Sequence, residues 1–159
     1  MSALRRSGGQ IALVVLACLS LAISIYLTIV HYNSHVPVAC PASGFVNCEN
    51  VLASNYSFVP GTSIPVSIPG ILWSIVALML PLAVLKFGPE LRQVRIAEIV
   101  WGILGLITCL YLVYAEIVQI HNLCGWCTGV HVSVWVCLLL AVFFFQDSVN
   151  YEEEEEVYE

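Results

Sequence analysis

Four apolar stretches, at residues 10 to 32, 68 to 87, 95 to 118 and 126 to 146, decide what surroundings this chain folds in. Each is near the roughly 20 residues that a helix needs to cross about 30 Å of hydrocarbon. Lipid offers no partners to backbone N–H and C=O groups, so a crossing segment must satisfy its own and is a helix. With 60% of the 159 residues hydrophobic and 10% charged, a soluble domain is excluded. The expected fold is an all-α membrane protein, a bundle of four transmembrane helices with an extracytoplasmic loop that carries a short surface helix. Pro81 and Gly102 fall inside spans, which membrane helices tolerate.

The first stretch follows Arg5 and Arg6, as a cleaved signal peptide would. Its apolar run is too long for a signal core, and no Ala-x-Ala cleavage site follows, so it reads as a retained helix. All five basic residues, Arg5, Arg6, Lys86, Arg92 and Arg95, lie in the N-terminal tail or around the connection between the second and third stretches. By the positive-inside rule both termini are cytoplasmic, and residues 33 to 67 and 119 to 124 lie outside. The chain then divides into a membrane domain, 1–146, and an acidic, disordered cytoplasmic tail, 147–159, that holds Glu152 to Glu156 and Glu159.

The long outer segment contains Pro37, Pro41, Pro60, Gly61 and Pro65, so it is no continuous helix. A turn or two of surface helix fits at residues 49 to 58. The segment also holds Cys40 and Cys48, which on spacing alone suit a static loop staple as well as a redox pair. The second pair shifts that balance. Cys124-Gly125-Trp126-Cys127 opens the fourth stretch, where a helix N-terminus stabilises the first thiolate and two-residue spacing closes a readily reducible disulfide. Both pairs then share the oxidising face, where disulfides persist. A zinc site of all four cysteines is disfavoured, because seven residues separate Cys40 from Cys48 where a zinc knuckle has two to four; no metal is expected.

Cys18, Cys109 and Cys137 lie within spans and read as small packing residues. His31 and His35 flank the outer end of the first helix as interfacial residues. His131 stands one turn beyond Cys127 on the same face, either a functional ionisable group or a histidine bonded to a neighbouring helix. Glu116, near the outer end of the third span, serves proton transfer or snorkels to the interface. Trp73, Trp126 and Tyr114 suit either pocket walls or interfacial anchors.

The run Tyr111-Leu112-Val113-Tyr114-Ala115-Glu116-Ile117, followed by Cys124-Gly125-Trp126-Cys127, resembles the vitamin K epoxide reductase family, particularly its bacterial and archaeal members. Cys40 and Cys48, with Ser54 six residues on, look like that family's loop cysteines and hydroxyl residue. Ile64-Pro65-Val66-Ser67-Ile68-Pro69-Gly70 resembles the start of its second helix. The similarity covers about residues 10 to 146. It implies a four-helix bundle that holds a quinone (menaquinone, ubiquinone or a relative) near the outer surface and exchanges electrons with a thioredoxin-like protein. It also implies that Cys40 meets the partner, Cys48 shuttles, Cys124 receives and Cys127 faces the quinone. The residues expected at the quinone site, from their own positions as well as the resemblance, are Ser54, Trp73, Tyr114, Glu116, Trp126 and His131.

Two positions depart from the animal enzymes, which have a tyrosine where this chain has His131 and an asparagine where it has Val66. These departures weaken vitamin K epoxide as substrate and leave thiol and quinone chemistry in place. Many prokaryotic relatives carry a fused thioredoxin-like domain; here the partner is expected to be a separate protein. The expected function is quinone-dependent formation of disulfides for exported proteins. The alternatives are a quinone or quinone-epoxide reductase for quinone recycling, the other bacterial quinone reductase of disulfide formation, whose Cys-x-x-Cys lies in the first outer loop, and a disulfide-stapled scaffold.

Overall fold

The computed structural model describes residues 2–33, 35–40, 44–87 and 92–158, with side chains outside 2–7 and 147–158. In chain order they form α1 (Ser2–Tyr32), α2 (Cys48–Leu52), a 3-10 turn (Asn55–Ser57), α3 (Ser67–Phe87), α4 (Arg92–Tyr114), a π-helical turn (Ala115–Ile120) and α5 (Gly125–Tyr158). Four segments are long and apolar enough to cross a membrane: Gly8–Tyr32, Ser67–Phe87, Arg92–Ile120 and Gly125–Gln146. The protein is an all-α, multi-pass membrane protein. Its expected surface element exists in two pieces, α2 and the 3-10 turn.

The four long helices close into a ring in which α1 packs on α3, α3 on α4, α4 on α5, and α5 back on α1. Small residues set how closely they approach. On α4, Gly102 and Gly105 lie one turn apart; a Cβ on the first would stand 3.0 Å from Leu138 of α5, and one on the second 2.7 Å from Trp73 of α3. Trp73 and Trp101 then clasp α3 to α4 reciprocally, each indole Nε1–H donating to the other's carbonyl, at 3.2 and 3.0 Å. Close backbones and satisfied polar groups take the place of hydrophobic driving force between helices in lipid. Large apolar residues such as Ile11, Val15, Leu19, Leu72, Met79, Ile107 and Leu139 point outward, as lipid requires.

Arg95, near the start of α4, is buried and donates to the carbonyl of Phe144 on α5 at 3.2 Å. A guanidinium near a membrane helix end reaches a backbone carbonyl when packing closes off solvent. α5 runs on through the acidic segment from residue 147 as far as Tyr158. Glutamate is a strong helix former, and an existing helix adds residues without a new nucleation step. Glu159 lies outside the described residues.

Candidate active site

Each cysteine pair is held against the other through the residue that precedes it. Ala39, next to Cys40, donates its N–H to the Tyr26 hydroxyl of α1 at 2.9 Å and accepts from Trp126 Nε1 of α5 at 2.9 Å. The Tyr26 and Trp126 rings pack with centroids 5.2 Å apart. On the other side, Asn47 donates its N–H to Leu123 O at 3.0 Å and Leu123 donates to Phe45 O at 2.9 Å, so Val46 and Leu123 form a parallel bridge. Asn47 also caps α2, its Oδ1 accepting the Asn50 N–H at 3.1 Å. The chain just ahead of Cys48 is thereby fixed beside the chain just ahead of Cys124.

The result is a single apolar cluster in which buried Cys48, Val51 and Cys124 pack with Val38, Cys40, Ile120 and Cys127. Within it Cys40 and Cys48 are joined as a disulfide, and Cys124 and Cys127 are free thiols. All four sulfur residues that the sequence singled out are brought together.

Cys124 is the residue before the first turn of α5, and its Sγ accepts the Cys127 N–H at 3.3 Å, as an N-cap oxygen ordinarily would. A hydrogen bond from the Cys127 side chain is the main cause holding the Cys124 thiol below its ordinary pKa, while burial and the Glu116 carboxylate push the other way. The N-terminal end of the helix dipole acts in the same sense as the Cys127 bond. Glu116 itself sits in the π-helical turn, buried, with Oε2 accepting the Cys124 backbone N–H at 3.3 Å. Its carbonyl accepts from Asn122 at 3.1 Å, and His121, at φ 56°, ends the turn in the left-handed region. Inserted π turns recur at functional sites.

Below the cluster lies a cavity of about 660 Å³, enclosed by the four long helices and roofed by residues 57 to 66. The roof is a small hairpin in which Val59 donates to Ile64 O at 2.8 Å and Val66 to Ser57 O at 2.8 Å. It turns at Gly61, whose φ of 77° suits a residue without a Cβ. Cys127, His131, Trp73, Cys109, His31 and Val66 are among its walls. Leu72, Leu104 and Tyr111 line it too and are exposed on the outside, so it opens toward lipid along the seam of α3 and α4. His131 is 6% exposed, and its ring makes no hydrogen bond among the described residues.

Of the residues expected at a quinone pocket, Trp73 and His131 stand on this wall and four do not. Trp126 clamps Ala39. Ser54 donates to Val51 O at 2.7 Å and introduces the 3-10 turn. Tyr114 faces outward, its hydroxyl accepting from Gln119 at 3.2 Å. Glu116 lies beneath Cys124. Conversely, Cys109 and His31, read as packing and interfacial residues, line the cavity, and His31 also packs edge-on against Phe58 of the roof at 5.0 Å.

The sequence profile of the vitamin K epoxide reductase family matches residues 11–142. The chain belongs to the vitamin K epoxide reductase family. No curated protein sequence matches it. The matched span reaches all four membrane helices and takes in both cysteine pairs and the cavity. As a family member, the protein is a membrane oxidoreductase, with disulfide and quinone-linked redox chemistry as its field.

Proposed function

We propose that the protein takes electrons from a reduced thioredoxin-like protein and delivers them to a quinone, generating disulfides for exported proteins. The observation that carries this reading is the stitching of Val46 and Asn47 to Leu123, which sets Cys48 and Cys124 in one apolar cluster. A partner thiolate attacks Cys40 Sγ, breaking the Cys40–Cys48 bond and releasing Cys48 as a thiolate. Cys48 attacks Cys124 of an oxidised inner pair, and Cys127 leaves as a thiolate. The partner's second thiol displaces Cys40, which then re-forms its bond to Cys48 and frees Cys124. The partner now holds one disulfide and the inner pair is a dithiol, the bonding seen at both pairs here. Thiol exchange of this kind is limited by thiolate fraction and access, and the N-cap position of Cys124 supports the first of these.

The cavity fits a quinone ring in size and polarity, since ligand pockets span about 300 to 1,000 Å³ and are mostly apolar with few polar groups. Cys127, Trp73 and His131 would hold it, His131 offering a ring N–H that no group among the described residues uses. When bound, a quinone supplies the two-electron acceptor for the Cys124 and Cys127 dithiol. The lateral opening suits an acceptor that arrives through the hydrocarbon. Arg5, Arg6, Lys86 and Arg92 support cytoplasmic termini in a cell membrane with both cysteine pairs on the outer, oxidising side. Incubating the purified protein with a reduced thioredoxin-like protein and ubiquinone-1 tests the reading. One quinol should form per disulfide made in the partner; partner oxidation without quinol overturns it.

A further inference from the structure

We infer that Glu116 is the proton acceptor for Cys124, taking the thiol proton as Cys124 closes the disulfide with Cys127. The inference deepens the proposed relay and rests on it for its place in the cycle. In a capping box the N-cap side chain accepts the N–H of the third helical residue, whose own carboxylate returns to the N-cap N–H. At the start of α5 the first half is present, with Cys124 Sγ accepting the Cys127 N–H at 3.3 Å. The third helical residue is Cys127, so it has no carboxylate to give. Glu116 supplies the missing half from the preceding helix, its Oε2 on the Cys124 N–H at 3.3 Å.

The π turn is what makes this reach possible, because it carries Ala115 and Glu116 to the buried side while Ile117, Val118 and Gln119 stay exposed. Both Glu116 and Cys124 are closed off from solvent, at 4% and 0% exposure. Bulk water does not touch the Cys124 thiol directly, so a base from the protein is the nearest proton acceptor. Among the described residues, the groups facing Glu116 are few. From α5 they are the thiols of Cys124 and Cys127, both within its electrostatic reach. From α2 they are Cys48, held in the disulfide, and Glu49, which is exposed; His121, following the turn, is exposed as well. A carboxylate accepting one backbone N–H keeps lone pairs for a proton.

In the step, the S–H bonds of Cys124 and Cys127 break and the Sγ–Sγ bond forms. Two electrons pass to a two-electron acceptor such as a quinone. Two protons complete the reduced acceptor, one of them by way of Glu116.

Full-length protein in detergent, reduced and freed of reductant, is mixed with ubiquinone-1 or with diamide, and closure of the inner disulfide is followed from pH 5 to 9. Glutamine keeps the oxygen that accepts the Cys124 N–H and loses the ability to take the proton. Glu116→Gln should therefore retain the wild-type melting temperature and the Cys40–Cys48 bond. Its closure should slow about 100-fold at pH 7, the scale of a lost general base, and recover as pH rises. Glu116→Ala should be restored by formate and not by chloride. Wild-type closure in Glu116→Gln at every pH overturns the inference, as does a failure of formate to restore Glu116→Ala. Diamide separates this from the relay: a wild type that reacts with diamide and not with quinone ends the relay reading, while the diamide arm still decides the role of Glu116.

Discussion

The two cysteine pairs sit on very different supports. Cys40 and Cys48 are eight residues apart, one in extended chain and one at the first position of a five-residue helix, and their local order comes from hydrogen bonds lent by α1 and α5. Cys124 and Cys127 belong to the first turn of a membrane-spanning helix, with a cap, a carboxylate and a cavity wall around them. Each pair has one buried cysteine, Cys48 or Cys124, and one half-buried, which is Cys40 in the loop for the first pair and Cys127 on the cavity wall for the second; the first pair borrows its geometry and the second owns it. A relay benefits from that division, since the end that must meet a protein needs access and the end that must meet a lipid-soluble acceptor needs dryness.

The comparison breaks most sharply at Cys127. Cys127→Ala should abolish reduction of ubiquinone-1 by a reduced thioredoxin-like protein, and unchanged turnover removes the inner pair from the pathway. Cys40→Ala should come next: oxidation of the protein partner is lost while dithiothreitol, small enough to reach the inner pair, still drives quinol formation. Equal loss with both reductants would contradict the assignment of access to the outer pair alone.

A pH measurement sharpens the electrostatic half of the contrast. The Cys124 thiol is held low chiefly by its hydrogen bond from Cys127, so its thiolate persists at pH values below the ordinary thiol value of about 8.5. Alkylation of Cys124 should titrate below that value in reduced wild type and move upward in Cys127→Ala, where the bond is gone. A titration that stays put, or moves down, contradicts the stated cause. The smallest expected effect belongs to His131. His131→Leu keeps the wall apolar and removes one neutral donor, so KM for ubiquinone-1 should rise about fivefold, equivalent to roughly 1 kcal/mol, with kcat little changed. A KM that does not move takes His131 off the quinone.

Much of the fold was legible because membrane spans announce themselves by apolar length: all four segments fell where hydropathy put them, and the prolines of the outer loop correctly forbade one long helix there. The four cysteines stood out by spacing. The cavity wall was harder to read for a physical reason. In lipid every face of a helix is apolar, so periodicity does not separate a side chain that faces a cavity from one that faces hydrocarbon. That ambiguity leaves Tyr114 open between wall and interfacial anchor and gives no sign that Cys109 lines the cavity. The sequence shows the Trp126 indole as an aromatic near the surface, but its bond to Ala39 joins residues 87 positions apart. The π turn that buries Glu116 carries no composition of its own, and neither does the bridge of Val46 to Leu123, whose bonds are made by backbone alone.

Disulfide trapping between Cys48 and Cys124 tests the central claim most directly. In a Cys40→Ala, Cys127→Ala double variant each of these residues lacks its usual partner, and mild oxidation in membranes followed by acid quenching and peptide mapping reads the bond that forms. The account predicts a dominant Cys48–Cys124 disulfide within one chain. Its absence, with both thiols recovered free or paired to other molecules, would contradict the transfer of electrons from the outer pair to the inner one.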